Sequence, residues 1–166
     1  STLFPYTTLF RSDRELSGGD DRYHHLILIA ENNTGYANLM KIVSRGFTEG
    51  FYYKPRIDHE LLEQYHEGLV CLSACIVGRV QQLLNLGDYE GAKKEASWFK
   101  DLFGEDYYLE LQDQGLEEEI GINRGLRKLS SELGIKMVAT NDVHYIYRED
   151  SSAHDVLLCI GRSEEH

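Results

Sequence analysis

The sequence has 166 residues, 42% of them hydrophobic, and a single compact domain of this size buries about two thirds of the surface its unfolded chain exposes. Its 17 basic residues against 28 acidic ones leave a formal charge of −11, which excludes a basic surface that clamps phosphate backbones unaided. No apolar run reaches the ~20 residues of a membrane span, the N-terminus lacks the pattern of a secretory signal, and Cys71, Cys75 and Cys159 contain no CxxC; the reading is a cytoplasmic chain without a disulfide framework, leaving room for one thiolate ligand.

Residues 1–12, STLFPYTTLFRS, carry neither helical nor strand period and join abruptly to an acidic, glycine-containing stretch. LFPYTTLFRS is what a common sequencing adapter encodes when read as CTC TTT CCC TAC ACG ACG CTC TTC CGA TCT. The reverse complement of the last four codons, AGA TCG GAA GAG, encodes the Arg162-Ser163-Glu164-Glu165 that precedes His166. Residues 1–12 and 162–166 are therefore read as adapter-derived and non-native, with 13–161 as the genuine chain. Removing Arg11, Arg162, Glu164 and Glu165 leaves the charge at −11. Recovery of both flanks contiguously in intact genomic DNA would refute this reading.

Residues 13–24 (DRELSGGDDRYH) have the composition of a loop, and His25 to Ala30 (HLILIA) reads as a buried strand. Thr34 can cap a helix over about 36–48, with Leu39, Ile42, Val43 and Phe47 at the spacing of one buried face, stopping near Gly50. The aromatic and basic loop FYYKPR leads to Asp58 as the N-cap of a short helix through Tyr65, and Leu69 to Ser73 is a second strand. Helices from Val77 to Leu86 and from about Asp88 to Phe103 end at Gly87 and Gly104, where a left-handed C-cap wants glycine. A third strand at Tyr107 to Leu111, a helix from Glu117 to Leu133 stopped by Gly134, a fourth strand at Lys136 to Thr140 and a last helix from Glu149 to Ile160 complete the order. Such alternation predicts parallel strands joined by right-handed crossovers, hence an α/β sheet or barrel. Four strands are too few to close a barrel, so the chain is either a small open sheet or a piece of something larger.

In parallel α/β folds reactive groups gather at the carboxyl ends of strands. The fourth strand is followed by Asn141-Asp142-Val143-His144. In an extended segment residues two apart point the same way, so Asp142 and His144 can approach one cation, with donors suited to zinc, manganese or iron. The second strand is followed by Ala74-Cys75, a thiolate on the same rim, and His25 opens the first. The bland alternative remains open at this point: Asp142 a cap, His144 a surface histidine, Cys75 a small buried hydrophobe.

The segments GFYYKPRID (50–58), CLSACIVG (71–78), YLELQDQG (108–115), ATNDVHY (139–145) and AHDVLLCIG (153–161), taken together, resemble the PHP (polymerase and histidinol phosphatase) domain at the N-terminus of bacterial DNA polymerase III alpha subunits. The resemblance runs from about His24 to Gly161. It implies part of a distorted seven-stranded (β/α) barrel, truncated at its N-terminal side, whose complete form holds up to three metal ions through nine ligands. Four ligand positions carry over by motif: His25 before the LILIA strand, Cys75 in LSAC, and Asp142 with His144 in NDVH. Asp142 would share charge among the metals, with the other three as terminal ligands. The remaining five, a paired-histidine motif, an acidic residue, an Asp-His motif and a glutamate, belong before Asp13. His24 is the weaker neighbour of His25, because only one of two consecutive strand residues faces the rim.

The implied activity is metal-dependent phosphoester hydrolysis of the 3'-5' exonuclease kind, with Asp142 and His144 at the catalytic centre and the fragment alone inactive. The implied cofactors are divalent ions, zinc first, with manganese or iron as alternatives, and magnesium for a nucleotidyltransferase domain beyond Gly161. The implied partners are DNA through the full-length parent, the proofreading exonuclease subunit and other replicase subunits, in bacterial chromosomal DNA replication; no membrane is expected. A rival reading is a non-catalytic module that braces the polymerase and docks the proofreading subunit. A stand-alone phosphatase such as histidinol phosphatase is a third, against which GFYYKPRID and DVLLCIG speak. Arg56 can reach a phosphate, and Glu110 can either orient a ligand histidine or serve as a hydrogen-bonded strand-end carboxylate. Trp98, Phe99 and Phe103 read as core, His59, His66 and His154 as surface or capping residues, and Cys71 and Cys159 as core.

Overall fold

The computed structural model describes residues 24–51 and 55–162, with side chains through Ile160. The expected loop before His24, residues 1–12 and all but Arg162 of the 162–166 flank read as adapter-derived, and Tyr52 to Lys54 of the aromatic loop lie outside the described residues. The described chain runs β1 (Ile27–Ala30), α1 (Asn33–Thr48), α2 (His59–Tyr65), β2 (Leu69–Leu72), α3 (Arg79–Asn85), α4 (Tyr89–Phe103), β3 (Tyr107–Leu111), α5 (Glu117–Leu133), β4 (Lys136–Ala139) and α6 (Ser151–Arg162), with short 3-10 turns at Gly104–Asp106 and Arg148–Asp150. Each predicted strand and helix has a counterpart. The four strands form one open sheet in the order β1-β2-β3-β4. This is the mixed α/β architecture expected of a partial PHP domain; a closed seven-stranded barrel is not seen among the described residues.

The expectation of uniformly parallel strands fails at one pairing. β2, β3 and β4 are parallel, but β1 pairs antiparallel with β2, placing Ile27 opposite Leu72 and Ala30 opposite Leu69. The cause is the turn at 66–68, which returns the chain to the end of the sheet it left. The Glu31 N–H donates to the Gly68 carbonyl at 3.0 Å. A Cβ on Gly35, at the start of α1, would lie 1.8 Å from that same oxygen, so only glycine permits the approach. A strand-helix alternation contains no signal for which end a chain re-enters.

Apolar residues from both layers meet in one core, with Leu28, Cys71 and Leu109 from the sheet against Ile42, Phe99 and Leu126 from the helices, each 2% exposed or less. Phe99 stacks on Tyr107 at 5.2 Å between ring centroids, which ties α4 to β3. Two details of α1 correct the sequence reading. Asn32, not Thr34, is the cap, its side chain accepting from the Gly35 N–H at 2.9 Å. Phe47, placed by periodicity on the buried face, is 56% exposed and stacks with Phe51. α6 begins at Ser151, because residues 148–150 form the 3-10 turn. Among the described residues no helix is long and apolar enough to cross a membrane.

Candidate metal centre

The antiparallel setting of β1 determines which residues meet. It brings the N-terminal end of β1 beside the C-terminal end of β2, where the backbone of His25 bridges to Gly78 and its N–H donates to the Val77 carbonyl at 3.2 Å. The His25 ring then lies against Cys75, with Nδ1 3.3 Å from Sγ. In an all-parallel sheet His25 would stand at the opposite end from Cys75. His24 alternates to the other side, is 1% exposed, and has Nε2 3.4 Å from an Arg79 guanidinium nitrogen.

Cys75 is aimed by a strained turn. Ala74 has φ +68°, a left-handed conformation that costs an L-residue about 1–2 kcal/mol. The Gln81 amide holds the turn from below, donating to Ser73 Oγ at 2.7 Å and to the Ala74 carbonyl at 2.9 Å. Burial pushes the Cys75 thiol above its ordinary pKa, hydrogen bonding with the Val77 backbone opposes this, and the Asp142 and Glu110 carboxylates reinforce the rise. The thiol is therefore protonated at neutral pH unless a cation stabilises its thiolate.

The second pair follows β4. The segment is not extended as the sequence reading supposed, because Asp142 adopts φ +48° and turns the chain. His144 consequently does not stand beside the Asp142 carboxylate in strand fashion. Its ring folds back so that Nδ1 lies 2.6 Å from the Asp142 backbone carbonyl. Donation of the Nδ1 proton to that oxygen leaves the Nε2 lone pair directed outward, one of the two tautomers in which a histidine can ligate a metal. Both residues are exposed and line an open concavity with Asn141, Tyr145, His154 and Leu158. His154 thus departs from the expected remote position on a helix: its ring centroid is 5.7 Å from that of His144 and 5.3 Å from that of Tyr145.

Arg56 does not present its guanidinium to a phosphate. It is 2% exposed, and its Nε donates to the Gly50 carbonyl at 3.1 Å, bracing the segment after α1. Glu110 is also 2% exposed, and its Oε1 accepts from the Thr140 hydroxyl and from the Gln112 amide, so it serves the end of β4 and not a histidine. His59 is half-buried, stacked on Trp98 at 3.8 Å with Nε2 3.0 Å from Glu95, and is more built-in than a surface residue. Sequence reasoning singled out Glu110 but not its partners, the buried Ser73 at the end of β2 and the half-buried Thr140 at the end of β4. The available signal was a carboxylate inside the otherwise apolar strand YYLEL.

Among the described residues no three His, Cys, Asp or Glu side chains converge as a group able to hold a metal ion. One side-chain pair is present instead, a thiol with an imidazole, and after β4 an exposed turn carries the Asp142 carboxylate and a His144 ring whose Nδ1 is engaged by the backbone. A thiol held in the protonated form, with an acceptor nitrogen beside it and a carboxylate near enough to influence it, is a donor set that suits a borderline-soft divalent cation such as zinc.

A family model described as PHP domain matches residues 8–114. The DNA polymerase III alpha subunit of Borreliella burgdorferi is 51% identical over 138 residues, which are 83% of this chain and 12% of that protein. Those of Deinococcus radiodurans and Treponema pallidum are 47% and 50% identical over 151 and 152 residues, covering 90% and 91% of this chain. The chain spans between 11% and 13% of the length of these relatives.

Proposed function

The chain belongs to the PHP-domain family, a metal-dependent phosphoesterase family, and from that premise we propose that it supplies part of a metal-dependent phosphoesterase centre in a bacterial replicative DNA polymerase. The observation that carries the reading is the 3.3 Å approach of Cys75 Sγ to His25 Nδ1, two residues fifty positions apart brought together at the rim of the sheet. His25, Cys75, Asp142 and His144 are the ligands. Divalent ions, when bound, supply Lewis-acid activation of water and charge against the phosphate oxygens; zinc suits the thiolate best, with manganese or iron as alternatives.

The protein's own contributions are specific. Asp142 brings the negative charge of the pair, His144 is held in the Nε2-acceptor tautomer by its own backbone, and Cys75 releases a proton as it becomes a ligand. The substrate is a phosphodiester at a 3' DNA end, reached through the full-length polypeptide in the cytoplasm, where a magnesium-dependent polymerase domain, the proofreading exonuclease subunit and other replicase subunits would be its partners. With a chain charge of −11, the surface described here is not the element that grips DNA.

A second reading is favoured by the absence of a three-residue ligand group among the described residues: a bracing module that docks the proofreading subunit. The two separate on one experiment. Full-length polypeptide, supplied with zinc or manganese, is assayed on 3'-labelled single-stranded DNA alongside Asp142→Ala. Loss of at least 100-fold in the variant, with an unchanged Tm, is expected. An inactive parent that still binds the proofreading subunit would establish the bracing role instead.

A further inference from the structure

Resting on the metal-site reading above, we propose that Glu110 is a positioning residue that, through the Thr140 hydroxyl, sets the Asp142–His144 segment in register with the His25–Cys75 pair. Glu110 lies in β3, between β2, which Cys75 follows, and β4, which Asp142 follows. Its backbone N–H donates to Ser73 Oγ at 2.8 Å, two residues before Cys75. Its side-chain Oε1 accepts from the hydroxyl of Thr140, two residues before Asp142. The Gln112 amide closes the triangle, donating to Glu110 Oε1 at 3.1 Å and to Thr140 Oγ1 at 3.1 Å, and the Thr140 N–H is held by the Leu111 carbonyl. One residue is thereby bonded to both ligand-bearing turns.

The chemistry of Glu110 is more than fastening requires. A carboxylate 2% exposed, with no cation in ion-pair distance among the described residues, is costly to bury for fastening alone. Its second oxygen, Oε2, has no hydrogen-bond partner among the described residues. Glu110 lines a small cavity together with Cys75 and Gln81. A negative charge held behind the rim, facing the thiol on one side and the Asp142 turn on the other, is compensated when cations occupy the site. Glu110 touches none of the four ligand side chains through a hydrogen bond, so its effect passes through Thr140 and through its charge.

The test uses the full-length polypeptide and zinc in competition with a chromophoric chelator, with the cobalt(II) ligand-field spectrum and the metal-free Tm as additional readouts. Thr140→Val and Glu110→Gln should each weaken zinc binding about 10- to 100-fold and alter the cobalt spectrum. Thr140→Ser, which keeps the hydroxyl, should bind within about threefold of the parent, and the metal-free Tm should move by only a few degrees in all three. Unchanged zinc affinity and cobalt spectrum in Glu110→Gln, or equal losses in Thr140→Ser and Thr140→Val, would overturn the proposal. Should Thr140→Val fail to fold, Glu110→Gln against Thr140→Ser decides. A parent that binds no zinc at all overturns the metal-site reading itself, and this inference with it.

Discussion

Tyr107 shows how burial converts one side chain into a pH dependence. Its ring packs on Phe99 in the core while its hydroxyl has no hydrogen-bond partner among the described residues. Burial holds the phenol, and likewise the neighbouring Cys71 thiol, well above their ordinary values of 10.0 and 9.0. The unfolded chain therefore releases these protons first. Their contribution to stability is complete below about pH 9 and is lost progressively as pH rises beyond the unfolded values. Urea midpoints at pH 7 and pH 10.5 should differ, the alkaline one being lower. Tyr107→Phe should leave neutral stability unchanged or raise it by about 1 kcal/mol, since it removes an unpaired buried hydroxyl, and should reduce the alkaline loss. A midpoint independent of pH would contradict this. At this scale the placement of Cys75, Asp142 and His144 just after strands was legible. The ring tautomer of His144 and the burial of Arg56 were not, because each depends on a backbone turn or contact formed by other residues.

Among the elements, α1 separates what periodicity can report from what it cannot. Leu39 and Ile42 face the core as their spacing requires, but Phe47 lies near the helix end, where the chain leaves the body and the ring finds Phe51 instead. The cap is similarly contextual: both Asn32 and Thr34 are competent N-cap types, and the position of the Gly35 N–H selects Asn32. Asn32→Ala should cost about 1 kcal/mol in denaturant unfolding, while Thr34→Ala should change stability by less than about 0.5 kcal/mol. Gly35→Ala should cost about 3 kcal/mol or more, because the added carbon meets the Gly68 backbone and no flexible side chain can yield. Equal behaviour of the two cap variants, or a well-tolerated Gly35→Ala, would show that α1 and the turn before β2 are not joined as described. The antiparallel β1 depends on this contact, and it was the largest topological feature that strand-helix alternation did not reveal.

The whole molecule presents β1 and β4 as the two edges of the described sheet, and the segment after β4 together with α6 exposes apolar side chains. Val143, Ile146, Val156, Leu157 and Ile160 are all more than half exposed, far more apolar surface than a lone soluble domain usually shows. The 166-residue chain by itself should self-associate, and light scattering behind size exclusion should report a mass that rises with loading; a monodisperse monomer would contradict this. The proposed metal centre lies at the rim of the sheet, where His25 and Cys75 meet. It is tested most directly by titrating cobalt(II) into the metal-free full-length polypeptide and recording its absorption, alongside Cys75→Ser. The expected result is a thiolate-to-cobalt charge-transfer band that saturates with binding and vanishes in Cys75→Ser while the fold is retained. Absence of the band in the parent, or its persistence in the variant, would show that Cys75 is not a ligand and that the rim is not a metal centre of this kind.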